Sequence, residues 1–165
     1  MTDNLGVGAM ISMLSACDED AVKRYKDSMG KEIDHVILDT KADPNYLRFV
    51  FTDKTGLDLY DDAQSCCENR YMHTDDTLDY YKGTKLMNVF LKAGPDVEDG
   101  SGNVHEQMFL EIVTSKGSFT IASHNEHNGY YGGISIRPRV YDVVEEIKQT
   151  KKRGEKKRKK RLRFQ

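Results

Sequence analysis

Apolar positions along the chain keep two different periods. Met10, Met13, Leu14, Cys17, Ala21, Val22, Tyr25 and Met29 recur every three or four residues, the stripe of an amphipathic helix, and Gly30 supplies a stop. Asp18-Glu19-Asp20 offers a later start for a shorter helix, with carboxylates at its positive end. From Lys31 the period falls to two. Glu32 to Asp39 reads as a strand centred on Val36-Ile37-Leu38, and Leu47, Phe49 and Phe51 alternate with Arg48, Val50 and Thr52. Asp43-Pro44-Asn45 and Asp53-Lys54-Thr55-Gly56 are turn sequences, and Leu57 to Tyr60 is a third short strand. Three strands joined by short turns predict an antiparallel meander.

Asp61 to Met72 carries no clear period. Thr74-Asp75-Asp76 has the character of a helix start, with Thr77, Leu78 and Tyr81 in a short helix that ends at Gly83. Lys85 to Ala93 is strand-like, and Gly94 to Asn103 is a polar loop. His105 to Thr114 and Ser118 to Ser123 predict a second hairpin turned by Ser115-Lys116-Gly117, with Met108, Leu110 and Ile112 on one face. His124 to Gly133 reads as a Gly/Asn-rich loop, and Ile134 to Arg137 as a last short strand. Val140, Val143, Val144 and Ile147 then return to helical spacing, with Pro138 near the start.

The fold class expected is therefore α+β: mainly antiparallel β-sheet with an N-terminal helix and a C-terminal helix running into a basic tail. The divisions are an N-terminal helical extension over 1–30, a β-rich domain over 31–138, a helix over 139–150 and a disordered tail over 151–165.

Charge sharpens the last boundary. The formal net charge is −2, yet residues 151–165 hold ten Lys/Arg and one Glu. The other residues hold 15 Lys/Arg against 26 Asp/Glu. An acidic body joined to a basic tail predicts a polyanion partner for the tail, with affinity that falls steeply as salt rises. Its contacts would be Lys151, Lys152, Arg153, Lys156, Lys157, Arg158, Lys159, Lys160, Arg161 and Arg163. A solubilising tail, or one folded back on the acidic body, is the alternative. Three cysteines, two of them adjacent, do not make a disulfide framework and imply a reducing compartment. No basic n-region precedes an apolar stretch, and no apolar run is long enough to span a membrane.

Two strings stand out: Asp61 to Met72, with Ser65-Cys66-Cys67-Glu68-Asn69-Arg70-Tyr71 at its centre, and His124-Asn125-Glu126-His127-Asn128-Gly129-Tyr130-Tyr131-Gly132-Gly133. Together with Asp96-Val97-Glu98-Asp99, His105-Glu106, Phe109-Leu110-Glu111 and Lys116 to Thr120, they resemble a phage-encoded family of unknown function over roughly residues 30–138. The resemblance implies a shared fold and a phage or prophage origin, hence the cytoplasm of an infected bacterial host cell. It implies no activity.

Read as chemistry, the strings allow several assignments. Cys66, Cys67, Glu68, His124, Glu126 and His127 include every ligand type that zinc favours, with Cys66, His124 and His127 as the metal candidates. Against this, there is no C-x-x-C pair. Nucleophilic catalysis would use Cys66 or Cys67 with His124 or His127 as base and Glu126 to orient it. The enzyme alternative is a metal- or Cys-dependent hydrolase acting on nucleotides or nucleic acid, with Cys66, Glu126 and His127 as catalytic candidates. Asp61, Asp62 and Glu68, like Asp75 and Asp76, suit a hard cation or are a solvated face. The residue types fit binding best. Tyr130 and Tyr131 offer stacking surfaces, His124, Asn125 and Asn128 offer donors and acceptors, and Arg70 suits a phosphate or carboxylate. The leading expectation is a non-enzymatic accessory protein with a pocket for a nucleotide or nucleic-acid segment, in which a host protein is a further partner. A purely structural or protein-interaction module is the remaining alternative.

Overall fold

The computed structural model describes residues 19–62, 66–130 and 132–143. Among the described residues, the helix α1 (Glu19–Ser28) is followed by nine strands: β1 (Ile33–Asp39), β2 (Tyr46–Phe51), β3 (Thr55–Asp61), β4 (Glu68–His73), β5 (Leu86–Ala93), β6 (Val97–Glu98), β7 (Val104–Thr114), β8 (Gly117–His127) and β9 (Ile136–Asp142). A 3₁₀ turn, Leu78–Tyr81, lies between β4 and β5. Every pairing is antiparallel. One sheet has the order β1-β2-β3-β9, and the other has β4-β8-β7-β5 with β6 beside β7.

The predicted meander is the first sheet. Leu47 stands opposite Leu59 and Phe49 opposite Leu57, and all four are fully buried. The second hairpin supplies the facing layer, where Leu110, Ile112, Phe119 and Ile121 are buried. Side chains of both sheets form one apolar cluster, and the Phe49 and Phe119 rings meet across it with centroids 6.4 Å apart. Tyr25, Val22 and Met29 of the α1 region pack on the same cluster. The two sheets are stitched where β1 meets β5. Gly30 N–H donates to Leu86 O at 2.6 Å, Leu86 N–H to Lys31 O at 3.0 Å, and Ile33 N–H to Thr84 O at 2.8 Å. The Glu32–Lys85 bridge continues the stitch.

The α+β expectation is overturned. Among the described residues, helix is confined to α1, the 3₁₀ turn and the single residue Val143, and all other regular structure is antiparallel sheet. The stripe from Met10 to Cys17 lies outside the described residues; α1 is described from Glu19 and ends at Ser28, two residues before Gly30 with φ of 83°. At the other end, Arg139 to Asp142 belong to β9 and not to a helix. The cause is a competing period. Ile136 and Pro138 are buried and Val140 packs on the core, while Arg137 and Arg139 alternate with them. That alternation lets β9 complete the open edge of β3, with Leu57 opposite Val140 and Leu59 opposite Pro138. Proline is tolerated because β9 is an edge strand, where one N–H needs no ladder partner. Residues 144–165, and so the rest of the expected helix and the basic tail, lie outside the described residues. No helix among the described residues is long and apolar enough to cross a membrane.

Candidate functional site

The two sequence blocks are neighbouring strands. β4 pairs with β8 so that Glu68 faces His127, Asn69 faces Glu126, Arg70 faces Asn125 and Tyr71 faces His124. β8 does not stop at Ser123, as the sequence pattern suggested, but runs through His127. The extra residues stay in register with β7, which sets His105 opposite Glu126 and Glu106 opposite Asn125. Successive side chains on a strand leave opposite faces, so the blocks build two different polar surfaces back to back.

The inward surface is a buried ionic centre. Arg70 is 7% exposed in its side chain, Asp61 6% and Glu68 1%. The Arg70 guanidinium donates to both Glu68 oxygens at 3.2 and 2.8 Å, to Asp61 Oδ2 at 2.7 Å and to Gly133 O at 2.9 Å. Burial disfavours its charge, but Glu68 and Asp61 together outweigh that and hold its pKa above the usual value. Asn125, fully buried, donates to Glu68 at 3.2 Å and Glu106 at 3.3 Å. Gly133 N–H donates to Glu106 Oε2 at 2.6 Å, and Ser135 N–H to Asp61 Oδ1 at 3.0 Å. These bonds tie the segment between β8 and β9 down over the centre. His127 accepts the Gly129 N–H at Nδ1, 3.0 Å away, and its Nε2 faces Glu106 Oε2 at 3.4 Å. Gly132 sits so close that a Cβ there would meet Glu106 Oε1 at 3.0 Å and the His127 ring at 3.2 Å.

The outward surface is open to solvent. Glu126 accepts from Asn69 Nδ2 at 3.1 Å and from the Tyr71 hydroxyl at 3.0 Å, and these bonds hold its carboxyl below the usual carboxylate range. Burial, and then Glu126, push the Tyr71 hydroxyl above its usual range. Tyr71 stacks on His124 with ring centroids 4.6 Å apart, and His124 Nδ1 lies 2.9 Å from His105 Nε2. Burial, then the charges of His105 and His73, push His124 below the usual histidine value, with Glu126 opposing.

Beside this surface lies a recess of about 510 Å³. Its walls are Asn69, Cys67, Glu126, His127 and His105 on one side and Val97 of β6 with Asp99 and Asn103 of the loop after it on the other. The loop is shaped by Asp99, which accepts from the N–H groups of Ser101 and Asn103 at 2.9 and 3.1 Å. Its Gly102 carbonyl is so near Gly129 that a Cβ there would lie 2.9 Å from the oxygen. The second block is thereby packed on the recess loop. Asn128 also lines the recess, and its Oδ1 accepts the Tyr130 N–H at 3.1 Å. The Tyr130 side chain is 79% exposed.

Several expected groupings separate in this frame. His124 and His127, three apart on a strand, leave opposite faces. Among the described residues no three His, Cys, Asp or Glu side chains are arranged to hold a metal ion, zinc included. Glu126 and His127 also face opposite ways, so Glu126 does not orient His127; Glu106 stands there instead. Cys66 and Cys67 are exposed. Arg70 and Asn125 are committed inside the ionic centre. Tyr131 lies outside the described residues, as does the tail. Tyr71, Asn69, His105, Glu106 and Asp99 were not among the candidates, although each is carried by the strings that were singled out.

The low histidine value sets a pH expectation. Below about pH 6.5, the ordinary value, the unfolded chain binds a proton at His124 that the folded chain resists. Stability should fall as pH drops from above that value toward the lower folded one. Urea unfolding at about pH 7.5 and about pH 5.5 measures it. His124→Phe keeps the stack on Tyr71 and should flatten the dependence; an unchanged slope would remove His124 as its source.

A family model described as a domain of unknown function, DUF7448, matches residues 26–136. The chain belongs to that family. The DUF7448 match takes in α1 from Lys26, both blocks and every strand up to the start of β9. All residues of the ionic centre and the recess therefore lie within the DUF7448 domain. No curated protein and no solved structure matches the chain.

Proposed function

We propose that this DUF7448 protein is a binding module whose recess takes a nucleobase, from a nucleotide or a single-stranded nucleic-acid segment. The observation that carries the reading is Glu126. Its carboxylate is fixed at the recess wall by Asn69 and Tyr71, beside His105, with no lysine or arginine among the lining residues. An acidic wall without lysine or arginine suits N–H donors on a flat ring and disfavours a phosphate. Val97 and Val104 supply apolar surface for the ring, and the volume fits a ligand of that size. The phosphates of a bound segment would stay outside, where the ten basic residues of 151–165 add salt-sensitive affinity. The setting we attach, an accessory protein of a phage in the cytoplasm of its host, rests on the residue blocks alone.

Melting temperature and calorimetry with the separate nucleosides and with short single strands test the reading. A base bearing an exocyclic amine should stabilise the protein. Glu126→Gln removes the charge but keeps the acceptor for Asn69 and Tyr71. It should cost about 1.5–3 kcal/mol of binding, roughly a tenfold to hundredfold loss of affinity. If no nucleoside or strand shifts the melting temperature, the recess is not a base pocket.

A further inference from the structure

Cys66 and Cys67 form the turn that leads into β4, and both are exposed. Cysteines kept for packing are usually buried, so packing does not account for this pair. Cys67 has φ of 64°, a left-handed conformation that residues with a Cβ rarely adopt. The turn leaves the two side chains close enough for Cys66 to perturb the Cys67 thiol. Neighbouring Cα atoms across a trans peptide lie about 3.8 Å apart, closer than the roughly 4.4–6.8 Å of an ordinary disulfide. A bond between these sulfurs would close a small strained ring, and strained, exposed disulfides are the readily reduced ones.

We propose that Cys66 and Cys67 are a reversible dithiol–disulfide redox site whose oxidant is a low-molecular-weight disulfide. One cysteine, as thiolate, attacks a sulfur of that disulfide. A bond forms between the protein and that sulfur, and the other half leaves as a thiolate. The second cysteine then loses its proton and attacks the protein-side sulfur. The Cys66–Cys67 bond forms and the second small thiolate is released. The pair gives up two electrons and two protons, and the small disulfide becomes two thiols. The hydrogen bond and charge of Cys66 hold Cys67 above the usual thiol value, which keeps a protonated partner beside the first thiolate until attack has occurred. The site needs nothing bound in the recess, so its test stands apart from the nucleobase reading.

The test uses the full chain with Cys17→Ser, which leaves only the pair. Oxidised glutathione should lower the intact mass by two hydrogens, leave no adduct and abolish alkylation of both cysteines, and dithiothreitol should reverse all three. With Cys66→Ser or Cys67→Ser added, the glutathione adduct should accumulate, because no resolving thiol remains. Phenylarsine oxide bonds both sulfurs with loss of one water. The reduced pair should retain it at least tenfold better than either single-thiol variant. Peptide mapping of the unsubstituted chain serves equally: the peptide holding Cys66 and Cys67 should be lighter by two hydrogens and carry no adduct. A persistent glutathione adduct on the pair, a disulfide-linked dimer, or arsenical retention unchanged by the serine variants would overturn the proposal.

Discussion

Arg70→Met should destabilise the protein by about 3–5 kcal/mol, measured by urea unfolding, because it leaves buried carboxylates without their cation. Asp61 and Glu68 have side chains 6% and 1% exposed, and Arg70 is hydrogen-bonded to both. Methionine replaces the stem but none of the donors. The loss should extend beyond β4, since Arg70 also holds the Gly133 carbonyl. Amide exchange at Gly133 and Ser135, whose N–H groups bond Glu106 and Asp61, should accelerate as the segment loosens. Arg70→Lys keeps a charge but not the planar fork, so it should fall between the two. A loss under about 1 kcal/mol for Arg70→Met would mean that water reaches the carboxylates and that the centre is an ordinary surface pair.

The same centre explains what was legible in the sequence. Where one face of a strand is apolar and the other polar, alternation reports both strand and register. Leu47, Phe49 and Phe51 did so, as did Leu110 and Ile112. In Glu68 to Tyr71 and His124 to His127 both faces are polar. The inward residues are buried by pairing with each other and not by hydrophobicity, so a hydrophobic period has nothing to find. The turn held the missing information. Thr114 opposite Gly117 fixes the register of β7 and β8, and counting back along it brings Glu106 to Asn125 and His105 to Glu126. Recognising Asn125 and His127 as inward residues required Glu68 and Glu106, the carboxylates that they face. β9 was missed for a different reason. Val140 and Val143 fit a helix, while Ile136, Pro138 and Val140 fit a strand, and only the open edge of β3 decides between them. The pairing of β4 with β8 was not readable from either block, because the two are joined through a long excursion that includes β5, β6 and β7.

Phe119→Ala should cost about 3–5 kcal/mol, the loss of a large ring from a site that cannot collapse around it. Phe119 is 2% exposed and touches two other aromatic rings, Phe49 on the facing sheet at 6.4 Å and Tyr81 in the 3₁₀ turn at 4.6 Å. Its removal frees the contact that joins the sheets and one side of the turn. The Tyr81 hydroxyl, bonded to Ser118 O at 2.8 Å, remains as a partial anchor. The urea midpoint should fall with the slope unchanged, since the surface exposed on unfolding stays nearly the same. Phe119 and Glu126 lie on the same strand, yet they should behave differently toward ligand. β8 inserts Phe119 and Ile121 into the apolar core at one end and Asn125 and His127 into the ionic centre at the other. Where the variant is still folded, Phe119→Ala should leave nucleoside affinity within about twofold, because the recess wall is set by pairing with β4 and β7. Arg70→Met removes the inward anchor of that pairing and should lower stability and affinity together. Equal affinity losses in the two variants would show that the recess depends on the whole sandwich and not on the ionic centre beneath it.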